Sequence, residues 1–133
     1  MATQTTITLY HGTDWESALD ILNSGLNVAN LRRLQSTRTT QLSPGWYLAE
    51  SPDIAWYFAS LAPGSTEGGY TVIEMEVDRA EMQNLLARGS AIRRQIINVP
   101  FSGEQYWISP DAFAFLNARA VFRPYTGEDV GER

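Results

Sequence analysis

Three short stretches place chemistry-bearing side chains where strand-like segments begin or end. In Tyr10-His11-Gly12-Thr13 the imidazole offers one donor and one acceptor when neutral, and the glycine leaves its backbone N–H and C=O open to close approach, a pair that suits a planar amide such as nicotinamide. Gly45-Trp46-Tyr47-Leu48-Ala49-Glu50 puts a tyrosine on a strand, and Tyr57 follows ten positions later on a helix. Two such rings can flank a flat guest, with a stacking gain of about 0.5–1.5 kcal/mol per pair beyond area burial and more for a cation. Gly103-Glu104-Gln105-Tyr106-Trp107-Ile108 opens an apolar strand with polar groups, which suits a sugar hydroxyl. Each stretch also has a plain structural reading. His11 and Gly12 make a turn, Trp46, Trp56 and Phe58 are core aromatics (the preferred reading for those three), and Glu104 and Gln105 form a solvated strand end.

The elements that must carry these residues are legible from periodicity. Thr6 to Tyr10 alternates polar and apolar and is rich in β-branched residues, a half-buried strand. Asp14 is an N-cap, Trp15, Ala18, Leu19 and Leu22 recur at helical spacing, and Gly25 supplies the stop. Residues 27–44 read as a long polar loop carrying Arg32, Arg33 and Arg38, and residues 45–50 as a strand. Ser51-Pro52-Asp53 starts a helix that runs to about Leu61. Tyr70 to Val77 is a strand, Asp78 to Arg88 a helix closed by Gly89, and Ile92 to Val99 fits a strand or a helical fragment. Gln105 to Ser109 is a strand, Ser109-Pro110-Asp111 repeats the helix-start chemistry, and Ala118 to Arg123 is a last strand ended by Pro124. From Thr126 the tail is polar, and disorder is expected there. Strands and helices alternate irregularly, without the glycine fingerprint of a Rossmann dinucleotide site, so the expected class is α+β with antiparallel pairing in one domain, 1–133.

Composition narrows the chemistry. At 133 residues, 44% apolar and 19% charged, the chain supports one core. It has no cysteine and a single histidine, which removes disulfides, thiolate nucleophiles and multi-histidine metal sites; no metal is expected. The net charge of −5 argues against a nucleic-acid partner that binds through many phosphates. No apolar run approaches a membrane span, and Met1 to Thr6 lacks the marks of a secretory signal, so a cytoplasmic protein with no membrane partner is expected. All ten basic residues are arginine.

The order strand His, strand Tyr, strand acid or amide resembles the ADP-ribosyltransferase superfamily of the His-Tyr-Glu class, the group of diphtheria toxin, the poly(ADP-ribose) polymerases and many small bacterial toxin domains. Tyr10-His11-Gly12-Thr13 is similar to the first motif, Gly45 to Ala49 with Ala55-Trp56-Tyr57 to the second, and Glu104 to Ile108 to the third. The resemblance implies split antiparallel β-sheets flanked by short helices around an NAD-binding cleft. It implies NAD⁺ as co-substrate, with His11 on a ribose hydroxyl, the Gly12 backbone on the carboxamide, and Tyr47 and Tyr57 sandwiching the nicotinamide. Thr13, Ala49 and Arg38 complete the implied NAD⁺ contacts, and His11, Tyr47 and Glu104 or Gln105 the catalytic set. The implied reaction breaks the nicotinamide–ribose bond and transfers ADP-ribose to an acceptor, expected to be a protein; a toxin-type member delivered to another cell would also have an immunity or antitoxin protein as partner.

Two departures keep other readings open. Aligning the family's Glu-Tyr pair on Tyr106 puts Gln105 at the catalytic position, with Glu104 one residue earlier, and successive strand side chains face opposite sides. Ile54 stands where many relatives have a serine three residues before the second tyrosine. An inward Gln105 keeps a hydrogen-bond partner and loses the negative charge, which slows or changes the chemistry. The expectations are therefore an NAD⁺-dependent mono-ADP-ribosyltransferase or glycohydrolase, an NAD⁺ or ADP-ribose binding module without turnover, or an α+β interaction domain with a chance pattern.

Overall fold

The computed structural model describes residues 5–27, 46–60, 69–96 and 103–125. In chain order these form β1 (Thr6–Asp14), α1 (Trp15–Ser24), β2 (Trp46–Ala49), α2 (Pro52–Ser60), β3 (Tyr70–Asp78), α3 (Arg79–Ala87), β4 (Ala91–Ile96), β5 (Gly103–Ile108), a 3₁₀ turn (Pro110–Ala112), α4 (Phe113–Arg119) and β6 (Val121–Pro124). The expected α+β class and antiparallel pairing are present. All strands belong to one sheet, in the order β4-β5-β2-β1-β3-β6.

Instead of two split sheets, the strands make one sheet with a seam. β1 pairs with β3 along its whole length, and β2 pairs with β5 through all four of its residues, but β1 and β2 meet only at Tyr10↔Ala49. Continued in register, that ladder would set Gly12 opposite Tyr47. The Tyr47 carbonyl instead accepts a hydrogen bond from His11 Nδ1 at 2.8 Å. An imidazole thus stands where backbone would have paired, and the strands diverge around it.

Alternation sorts β1 to two sides. Leu9 and His11 point toward the main core, where Trp46, Leu48, Ile73, Met75 and Val77 meet apolar residues of α1, α3 and α4. Tyr10 and Gly12 point the other way, toward a smaller cluster of Ala49, Val72 and the α2 residues Ile54 and Ala55. α2 presses closely on this second face because two strand positions lack a side chain. A Cβ at Gly12 would lie 1.8 Å from the Ala55 carbonyl oxygen, and one at Gly103 would lie 2.7 Å from Ile54 Cδ1. These glycines let one helix bridge from β1 to β5 across the seam.

Local signals hold where the chemistry is local. The Asp14 side chain accepts from the Ser17 N–H as the cap of α1, and Gly25 adopts φ 79° at its end. Leu26 is held by Asn117 of α4, whose amide accepts from the Leu26 N–H and donates to its carbonyl, both at 2.8 Å. Three boundaries shift. β1 runs on through His11-Gly12-Thr13 to Asp14 because β3 pairs with every one of these residues. Of the ambiguous segment Ile92 to Val99, the described part to Ile96 is strand β4, paired with β5, and residues 97–99 lie outside the described residues; Ala118 and Arg119 belong to α4 instead of the last strand. The expected loop with Arg32, Arg33 and Arg38 and the tail from Thr126 lie outside the described residues.

Candidate functional site

A narrow cleft lies between the sheet and α2 at the seam, enclosing about 10 Å³, room for about one water molecule. Tyr10 and Gly12 of β1, Tyr47 and Ala49 of β2 and Gln105 of β5 form its floor, and Ala55 and Phe58 of α2 its roof. Segments from all three sequence motifs therefore meet in one place. Ala49 is directly paired with Tyr10 on one side and Gln105 on the other, and its methyl group leaves room between them.

Gln105 is 6% exposed and faces this space; its amide has no hydrogen-bond partner among the described residues. Glu104 does not join it. β5 pairs without interruption on both sides, so no bulge allows two successive side chains to share a face. Glu104 projects to the opposite face, where Arg93 Nε donates to its Oε1 at 3.1 Å and the Arg93 guanidinium lies 6.0 Å from the centre of the Tyr106 ring. The two candidates for the catalytic position are thus separated: the amide lies inside and the carboxylate is bound elsewhere.

Tyr47, 8% exposed, provides one aromatic wall. The second expected wall, Tyr57, is displaced by Phe58. On α2 the positions turned to the sheet are Ile54, Ala55, Phe58 and Ala59, and at about 100° per residue Tyr57 falls off this stripe, its ring meeting Phe58 edge-on at 5.5 Å. Tyr10, which the motif contained but the expected site did not, supplies floor on the β1 side, its outer edge covered by Tyr125 at 5.4 Å.

His11 and Thr13 are corrections to the implied ligand set. Both point into the main core. His11 is 1% exposed, its ring centre 5.0 Å from that of Trp46. Because Nδ1 faces a carbonyl oxygen, Nδ1 carries the proton and Nε2 is an acceptor, buried and without a partner among the described residues. Burial, outweighing the Tyr47 carbonyl and Asp14, lowers its pKa from 6.5 to about 4, so the ring is neutral at neutral pH. In this arrangement the imidazole shapes the wall that carries Tyr47 and does not line the cleft. Thr13 is fully buried and donates through Oγ1 to Asp14 at 3.2 Å, supporting the cap of α1. Gly12 does line the cleft, but α2 uses its missing side chain. Ile54, in the place of the family's serine, packs over Gly103. Arg38 lies outside the described residues.

The site includes residues that the motifs alone did not single out. Phe58, expected in the core, lines the cleft with Ala55, and the spacing of the two already implies one helical face. Arg94 does not line the cleft but stands beside it, paired with Gln105, a position that depends on the β4–β5 register. No group of histidine, cysteine, aspartate or glutamate suited to a metal ion occurs among the described residues, and no helix among them is long and apolar enough to cross a membrane. No family model, curated protein or solved structure matches this chain.

Proposed function

We propose that this chain is an ADP-ribosyltransferase-type domain of toxin or effector kind that receives the nicotinamide end of NAD⁺ in the cleft beneath α2 and transfers ADP-ribose to a protein acceptor. The observation that carries this reading is the convergence of Tyr10 and Gly12, Tyr47 and Gln105 from three separate sequence motifs around a single slot. Ligand sites for whole drug-sized molecules enclose about 300–1,000 Å³. As it stands the cleft encloses about 10 Å³, room for about one water molecule, so a nicotinamide ring enters between Tyr47 and Phe58 only by lifting α2 from the sheet, with the rest of the dinucleotide outside.

In this reaction the ribose C1′–nitrogen bond breaks and its electron pair leaves with nicotinamide. The acceptor nucleophile then bonds to C1′ and loses a proton. Gln105 can orient a ribose hydroxyl and can neither take that proton nor balance an oxocarbenium charge, so it works by hydrogen bonding alone. The inward amide and outward Glu104 also favour a second reading, a module that holds NAD⁺ without cleaving it.

Incubation with NAD⁺, with chromatography of free nicotinamide and mass spectrometry of candidate acceptors, separates the two readings. Nicotinamide release that is lost in Tyr47→Ala identifies the enzyme, whereas saturable binding without release identifies the module. Gln105→Glu restores a charge in the cleft and is expected to raise cleavage about tenfold or more. If Tyr47→Ala and Gln105→Ala change neither binding nor release, both readings are wrong.

A further inference from the structure

One row of paired residues crosses the cleft side of the sheet, one from each strand: Arg94, Gln105, Ala49, Tyr10, Glu74 and Arg123. Paired residues of an antiparallel ladder project to the same side, so all six share the face that α2 partly covers. The three central ones line the cleft.

The arginines that end the row are in opposite states. Arg123 is engaged, its Nε 2.7 Å from Glu74 and its Nη2 2.9 Å from Glu76. Arg94 is half-buried beside Gln105 and has no ion pair among the described residues. The carboxylate nearest in sequence to Gln105, that of Glu104, is on the other face and bound by Arg93. Around Arg94 on its own face stand Gln105, Ile92 and Trp107, none of them acidic. A half-buried guanidinium without an acidic partner among the described residues, in a chain of net charge −5, is open to an external anion. Its planar fork matches phosphate oxygens two at a time.

We propose that Arg94 is the phosphate-binding residue of this cleft. Strands lie about 4.8 Å apart, so Arg94 stands about 10 Å from Ala49 with Gln105 between them. Ring, sugar and phosphate in succession match Ala49, Gln105 and Arg94. The phosphate belongs either to the dinucleotide itself or to the acceptor, and the assignment of the ring to the cleft rests on the NAD⁺ reading above.

Calorimetry with four probes tests the proposal: nicotinamide, nicotinamide riboside, nicotinamide mononucleotide and inorganic pyrophosphate, each against wild type, Arg94→Gln and Arg94→Lys. If the phosphate is the dinucleotide's own, the mononucleotide binds wild type about tenfold more tightly than the riboside. That advantage falls with added salt, disappears in Arg94→Gln and is partly kept in Arg94→Lys, while nicotinamide and riboside are unaffected. If it is the acceptor's, mononucleotide and riboside bind alike, and pyrophosphate binds the riboside-saturated protein only when Arg94 is present. Phosphate probes that bind Arg94→Gln as they bind wild type, or that bind neither, overturn the proposal. Arg94-dependent binding of pyrophosphate without any binding of nicotinamide or riboside keeps the anion site and removes the NAD⁺ reading.

Discussion

Acidification from pH 7 to pH 4 titrates the only imidazole of this chain, and its placement fixes what should follow. His11 is held neutral inside the core, with a pKa of about 4 against 6.5 for the exposed group. Because the folded value is the lower one, the unfolded chain binds the extra proton between these limits, and stability falls as the pH falls through this window. At about 1.36 kcal/mol per pH unit of separation, the histidine alone removes about 2 kcal/mol at pH 5 and about 3 kcal/mol by pH 4. Against a typical domain stability of about 5–15 kcal/mol, that is a large share. Carboxylates titrate in the same range, so the measurement is a difference: urea denaturation at pH 4 to 8 for wild type and for His11→Asn, which cannot titrate. The wild-type curve should drop away from the variant below pH 6.5. Parallel curves, or an imidazole that titrates near 6.5 by NMR, would refute the reasoning, because either would mean that the ring is not buried at the seam.

Three substitutions probe other parts of the construction. Gly12→Ala drives a methyl group into the Ala55 carbonyl and is expected to cost about 1–3 kcal/mol and to loosen α2, read by chemical denaturation and by faster amide exchange in residues 55–60. Asn117→Ala leaves the Leu26 N–H and carbonyl without their partners and should lower stability by about 1–3 kcal/mol, seen as a lower denaturation midpoint with unchanged slope. Tyr47→Ala removes an aromatic wall of the cleft and should weaken NAD⁺ binding by at least about 1 kcal/mol in calorimetry, with far-UV dichroism unchanged.

What the sequence disclosed and what it hid divide along a physical line. The Asp14 cap, the Gly25 stop and the proline start of α2 are set by contacts within a few residues, and each appears where its chemistry predicts. That Tyr47 and one residue of the pair Glu104 and Gln105 lie on neighbouring strands is legible from the motif order and the strand pattern. The choice between Glu104 and Gln105 was not legible, since parity says only that they diverge; the pairing of β5 with β2 and β4 decides which one faces α2. The burial of His11 is illegible for a related reason. Nothing local reveals that its ring fills a gap between two strands whose contact lies 36 residues apart in the chain. Phe58 was obscured by Tyr57, a more suggestive letter one position away and on the wrong side of its helix.

The seam has a mechanical consequence. Each three-stranded half keeps its own ladders whether the gap between them is wide or narrow, so at the cleft the Tyr10↔Ala49 rung, the imidazole contact and the grip of α2 tie the halves, while on the opposite side the shared core of Leu9, Trp46, Leu48, Ile73 and Met75 holds them together. Any give at the seam is therefore confined to the side of α2, the helix that packs directly on the bare α-carbons of Gly12 and Gly103.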